Sequence, residues 1–167
     1  MAAGDRAYWS DLQNIADQLV KPAIGKAFTT SQSSAIGTSE TVALTVTSML
    51  FKAGWAYRAF IRTAVYGSAA GVQASFRLRK TNAAGADWGE LGRVRCEGTT
   101  LGTSAMANGS LILTRSAVTD LTTDVALVVA ASTGTVTLWA GAASPRYLVI
   151  EPIGSAADYA DLGVDVT

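Results

Sequence analysis

From Ala27 onward the hydrophobic period of this chain changes from about 3.6 residues to 2, and alternation persists almost to the C-terminus. Thr41 to Leu50 alternates, with Val42, Leu44 and Val46 on one face and Thr41, Thr45 and Thr47 on the other. Trp55 to Tyr66 is a long run rich in aromatic and β-branched residues, which suit a pleated, half-buried surface. Val72 to Lys80 places Ala74, Phe76 and Leu78 inward. Gly92 to Glu97, Ser110 to Arg115, Val125 to Ser132, Thr135 to Ala140 and Arg146 to Ile153 complete the strand set. Turn residues separate them: Gly67 to Gly71, a loop over Asn82 to Gly89, Asn108-Gly109, and Thr133-Gly134 as a hairpin signal. No helical crossover pattern lies between the strands, which argues against a parallel α/β sheet. The expected fold is mainly β, a single antiparallel β-sandwich of jelly-roll type preceded by a short N-terminal α-helix.

The helix is read from Ser10 and Gln13, which fit a capping box, and from Leu12, Ile15, Ala16 and Leu19, which form one apolar stripe. Pro22 stops it, because a residue before proline is pushed out of the helical region. A helix of roughly ten residues is marginal alone and must dock on something. Three regions follow: residues 1–26 as helix and linker serving as an anchor, 27–154 as the sandwich, and 155–167 as an acidic tail, either mobile or pinned by a basic partner. In the anchor, Trp9, Leu12, Ile15 and Leu19 are the candidate partner-binding residues.

The chain has no histidine, which removes the commonest general base and the commonest metal ligand. Its four glutamates are scattered in sequence, and no catalytic or metal motif is present. No enzymatic activity, no cofactor and no metal are expected. The single cysteine, Cys96, is read as a small core residue. Net charge is zero, so no global field draws the chain to nucleic acid, and no apolar run is long enough to cross a bilayer as a helix. Charged residues make up only 16% of the chain, which leaves little to solvate an isolated subunit and suggests a surface that is covered in the working state.

Arg77 and Arg79 fall on one face of a strand, and Arg93 and Arg95 on one face of the next. Paired as neighbours, these strands would present four guanidiniums together, with Arg58 and Arg62 adding two from the preceding strand. Such a face could receive carboxylates of another chain, since guanidinium binds them bidentately; the alternative is an ordinary solvated sheet face. Trp88, in a stretch rich in Gly and Ala, is the candidate exposed contact, for a protein or for a glycan. Trp55, Tyr57 and Trp139 sit in strands and are read as core or interface.

Together the opening Met-Ala-Ala-Gly-Asp, the Tyr8-Trp9-Ser10-Asp11-Leu12-Gln13-Asn14-Ile15 leader and the run from Trp55 to Ile153 resemble small structural proteins of tailed bacteriophages. The later part is similar to trimeric jelly rolls of the tumour-necrosis-factor/C1q shape. The resemblance implies a capsid decoration, short-fibre or minor tail protein at the virion surface. It would be made in the host bacterial cytoplasm and would assemble as a homotrimer; the continuous apolar character of Trp55–Tyr66 and Val125–Trp139, which suits burial on both faces, places these strands near the shared axis. Its partners would be further copies and other virion proteins such as the major capsid protein. A carbohydrate-binding receptor module, contacting a host-surface glycan, is the alternative of another class.

Overall fold

The computed structural model describes residues 24–100 and 104–167, so the expected helix, with Trp9, Leu12, Ile15 and Leu19, lies outside the described residues. Among the described residues ten strands follow in chain order: β1 (Gly25–Thr29), β2 (Thr41–Phe51), β3 (Trp55–Gly67), β4 (Gln73–Lys80), β5 (Asp87–Arg95), β6 (Ala105–Thr114), β7 (Leu121–Ala131), β8 (Val136–Trp139), β9 (Arg146–Ser155) and β10 (Val164–Asp165). One sheet runs β1-β9-β3-β6-β10, with β8 taking over the flank of β3 that β9 leaves; the other runs β2-β7-β4-β5. Apart from the β4–β5 hairpin and the run from β8 to β10, successive strands therefore jump between two sheets that face each other, which is the jelly-roll arrangement. Every pairing is antiparallel except the short parallel pair of β10 with β6.

Alternation explains the core. Ala74, Phe76 and Leu78 of β4 are buried as expected, against Tyr57, Ile61 and Val65 of β3 and Leu148 and Ile150 of β9 from the facing sheet. Cys96 is fully buried, and desolvation pushes its thiol pKa up. Strand β7 departs from alternation: Val125 to Val129 are all fully buried. Val125, Leu127 and Val129 enter the core. Ala126 and Val128 face the other way, directly opposite Arg79 and Arg77 of β4. The continuous apolar character of β7 thus reflects its central place in the sheet, where its own subunit covers both faces, rather than a place at an open flank.

Four local expectations are corrected. Val42 does not share the inward face: the register slips between Val42 and Leu44, and Val42 is 40% exposed while Leu44 and Val46 stay inside. The strand expected from Gly92 already begins at Asp87. Asn108-Gly109 is not a turn but the middle of β6, where a Cβ on Gly109 would stand 2.3 Å from the Leu91 carbonyl oxygen. Glycine is there to let β5 cross close to β6. Thr133-Gly134 does turn the chain, with Gly134 at φ 58°, but β7 and β8 belong to different sheets, so it makes a crossover and not a hairpin ladder.

The acidic tail is held by its own subunit. Ser155 caps a 3-10 turn over Ala156–Tyr159, Val166 is fully buried, and the Asp165 carboxylate accepts bonds from the Ser116 N–H and hydroxyl. Arg115 donates to the Val166 carbonyl at 2.7 Å, and Lys80 to that of Thr167 at 2.7 Å.

Candidate functional site

The sandwich offers two outer sheet faces, and they differ in kind. On the four-stranded sheet, β4 and β5 are hairpin neighbours, so Arg77, Arg79, Arg93 and Arg95 do share one face. Arg58 and Arg62 do not join them: β3 is in the opposite sheet. Carboxylates of the same chain meet most of the ladder. Arg77 pairs with Asp87 and lies 3.8 Å from Glu40 and 4.0 Å from Glu90. Arg79 forks onto Glu40, with Nη2 to Oε1 at 3.0 Å. Arg93 forks onto Glu90 at 2.9 to 3.1 Å. Arg95 makes no ion pair among the described residues.

Three carboxylates converging on Arg77 invite comparison with an acid–base pair, but the electrostatics run the other way. Burial pushes the Asp87 carboxyl up, while hydrogen bonds from Arg77 and the Gly89 N–H, with the charges of Arg77 and Arg79, outweigh it and leave the pKa lowered. The hydrogen bond to Glu40, followed by a smaller opposing desolvation, raises the Arg79 pKa. A general acid needs a carboxyl held up; these guanidiniums hold the group ionised.

Changing Arg77 and Arg79 together to Glu is expected to lower stability by about 1–3 kcal/mol, since four pairs on three shared carboxylates, each worth at most about 1 kcal/mol, are lost. Denaturant unfolding measures it; an unchanged midpoint would mean the network contributes nothing. The sign with pH follows from Asp87. Its folded pKa is depressed, so its contribution is complete above the unfolded value, near 4, and is lost as pH falls through the folded one. The double variant should therefore lose less stability than the parent below about pH 4.

Trp88 requires a correction. It is 2% exposed, on β5, and packs edge-on to Phe51 with ring centroids 5.6 Å apart. Phe51 in turn meets Tyr57 edge-on at 5.0 Å, and the Tyr57 hydroxyl accepts the Lys52 N–H at 2.6 Å. Burial pushes the Tyr57 pKa up. Trp88 is thus a core anchor, closed to any external ligand, and its indole N–H has no partner among the described residues.

The outer face of the six-stranded sheet is open. Register alignment puts Phe28 of β1 opposite Tyr147 of β9, Tyr147 opposite Arg62 of β3, and Arg62 opposite Asn108 of β6. The adjacent row is Lys26, Val149, Phe60 and Ser110. Phe28 is 68% exposed, and Met106 farther along β6 is 43% exposed. Phe60 and Tyr147 meet edge-on at 6.1 Å; Arg58 pairs with Glu151 and sits 5.7 Å from the Phe60 ring centre. Phe60, Ile61, Asn108, Gly109, Ser110 and Tyr147 line a shallow depression of about 290 Å³. Sequence reading missed this face, because its aromatic residues come from three strands far apart in the chain. Only the period-2 placement of Phe60 between Arg58 and Arg62 signals it.

Arg146 is a buried cation without an ion pair among the described residues. It is 6% exposed, at the start of β9; desolvation lowers its pKa, its Nε has no partner among the described residues, and its longer contacts reach the Leu138 carbonyl at 3.4 Å and the Ala43 carbonyl at 3.5 Å. It stitches β8 of one sheet to the bulge of β2 in the other. A buried, unpaired charge offsets most of what such a stitch contributes. Arg146→Met is therefore expected to leave the thermal midpoint unchanged or higher; a fall of more than about 2 kcal/mol in unfolding free energy would show that the charge itself is needed.

Among the described residues, no three of Cys, Asp and Glu are grouped to hold a metal ion, and no helix is long and apolar enough to cross a membrane. No family model matches the chain, and no curated protein does. Solved structures similar to it include the infectious bursal disease virus VP2 subviral particle (13% identity, TM-score 0.44, covering 81% of this chain and 39% of VP2). Eiger TNF from S. frugiperda is 9% identical with TM-score 0.46, covering 81% and 94% of the two chains. The C-terminal CBM6 of LamC, a marine laminarinase from Zobellia galactanivorans, is 11% identical with TM-score 0.37, covering 80% and 94%. The chain spans about two fifths of the length of VP2.

Proposed function

We propose that this protein is a non-enzymatic structural subunit that assembles with copies of itself at the surface of a tailed-phage virion, as a capsid decoration or short-fibre protein. A minor tail protein is the neighbouring assignment. The observation that carries self-assembly is the contrast between the two outer faces. The four-stranded face satisfies most of its charges internally. The six-stranded face exposes Phe28 and Met106 beside Phe60, Tyr147 and Val149, rimmed by Arg58, Arg62 and Lys26. Aromatic residues, Met and Arg with little acidic charge are the composition of a protein interface centre. The virion assignment rests on the leader and the strand pattern of the sequence. Imaging of the particle tests it, because location, copy number and symmetry come together. Density for this sandwich on the particle, around a three-fold axis, is the expected outcome; its absence from the particle would overturn the assignment.

A second reading has its own observation. The depression between Phe60 and Tyr147 has Asn108 and Ser110 on its wall, which is an aromatic surface with hydrogen-bonding groups as a sugar ring requires. Glycan binding by the parent that disappears in Asn108→Ala would favour the carbohydrate-binding module; binding to no glycan would leave assembly.

A further inference from the structure

Lys26 and Arg62, on the open face of the six-stranded sheet, make no ion pair among the described residues. Glu151, in the neighbouring row of that face, is already taken by Arg58. Asp158 and Asp161 make no ion pair among the described residues either. The two sets of unanswered charge, one basic and one acidic, belong to the same sheet.

The acids stand at one end of it. A Cβ on Gly154 would lie 3.4 Å from the Tyr159 ring and one on Gly163 would lie 2.4 Å from the Thr114 methyl. The turn that follows β9 therefore covers the row Gly154, Ala56 and Thr114. Ala56 and Thr114 are buried as a result, although Ala56 keeps the outward phase of Arg58 and Phe60. The turn is tied down on both sides. Ser155 caps it, Ala156 and Val166 are buried, and the Leu162 and Gly163 N–H groups donate to the Tyr159 carbonyl at 3.0 and 2.8 Å. Asp158, Asp161 and Leu162 remain exposed on this fixed corner, Leu162 at 70%.

The corner does not answer the free cations of its own subunit. Arg62 is six residues along β3 from Ala56, about 20 Å, and Lys26 is four rows along and two strands across. Such separations exceed the Debye length of about 8 Å at physiological ionic strength, so the attraction within one subunit is largely screened. The face is thus acidic with an exposed leucine at one end, and basic around Phe28, Phe60 and Tyr147 farther along. Each end has the charge and the apolar surface that the other lacks.

We propose that the basic part of this face receives the corner at residues 158–162 of a second copy of this chain. Asp158 and Asp161 pair there with Lys26 and Arg62, and Leu162 enters the depression between Phe60 and Tyr147. The proposal rests on the self-assembly reading above and names the surface that the open face meets. A contact between unlike patches repeats around a ring, so it suits a three-fold assembly.

The test uses the full chain, with the parent's mass by light scattering as reference. Lys26→Glu with Arg62→Glu, and separately Asp158→Lys with Asp161→Lys, are each expected to raise the concentration of half-assembly at least roughly tenfold, because attraction becomes repulsion. All four changes in one chain should restore assembly, since the charges are then exchanged between the two surfaces. In parallel, chains carrying Arg62→Cys are mixed with chains carrying Asp158→Cys or Asp161→Cys, and oxidation should give a disulfide between two chains that forms only in the mixture. This arm decides the matter if a charge variant loses its thermal midpoint. Assembly that neither charge pair weakens, or dissociation that the combined exchange does not repair, would overturn the proposal and leave self-assembly standing. So would an assembled parent whose cysteine variants give no cross-link. A monomeric parent would remove both.

Discussion

Phe60→Glu is expected to turn the assembled protein into single subunits at micromolar concentration while the sandwich stays folded. Phe60 lies at the middle of the open face, flanked by Val149 and Ser110 in register and by the Tyr147 ring. Its side chain points away from the core, so a carboxylate there stays in water in the isolated subunit and costs the fold little. In an interface the same carboxylate would be desolvated at the centre, where truncating an anchor alone costs about 2 kcal/mol or more, a factor of roughly 30 in affinity. Light scattering against concentration reads the change. Val118→Glu serves as the control, since Val118 is 95% exposed in the segment between β6 and β7 and far from this face in register. If Phe60→Glu leaves the mass unchanged while Val118→Glu does the same, the six-stranded face is not the contact.

Trp88→Ala carries the largest expected loss of stability. The indole fills the interior beside Phe51, which stands against Tyr57, so its removal opens a cavity in the aromatic centre of the core. Truncations of this kind cost about 3–5 kcal/mol. For a chain of this size that lowers the thermal midpoint by roughly 6–20 °C. Trp88→Phe should cost much less, because it keeps most of the packed ring and removes an indole N–H that has no partner among the described residues. Calorimetry distinguishes the two. A loss under about 1 kcal/mol for Trp88→Ala would contradict the burial, and equal losses for both variants would show that the indole N–H matters more than the ring.

Trp88 also shows where local sequence stops being informative. Asp87, Gly89, Gly85 and the alanines around it make the composition of an exposed loop, yet β5 starts at Asp87 and lays the indole into the core. Composition describes the backbone's freedom, whereas burial depends on what the facing sheet leaves open. The arginine ladder divides in the same way. That Arg77, Arg79, Arg93 and Arg95 share a face follows from period 2 and a short hairpin loop, both local. That Glu40 answers Arg79 does not, for it lies 39 residues earlier, before β2, and reaches Arg79 across β7.

Alternation of side chains is a property of each strand by itself, so the mainly β class, the inward set Ala74, Phe76 and Leu78, and the outward placing of Phe60 between Arg58 and Arg62 were all determined by the sequence alone. Which strands lie side by side was decided by tertiary structure. The glycine turn after β7 is compatible with a hairpin, but pairing β8 with β3 buries Val136 and Leu138 completely, and the core outweighs the turn's local preference. The same sorting brought Phe28, Phe60 and Tyr147 together from β1, β3 and β9. No local signal encodes that meeting, because a sheet face is assembled across hydrogen-bonded neighbours and not along the chain.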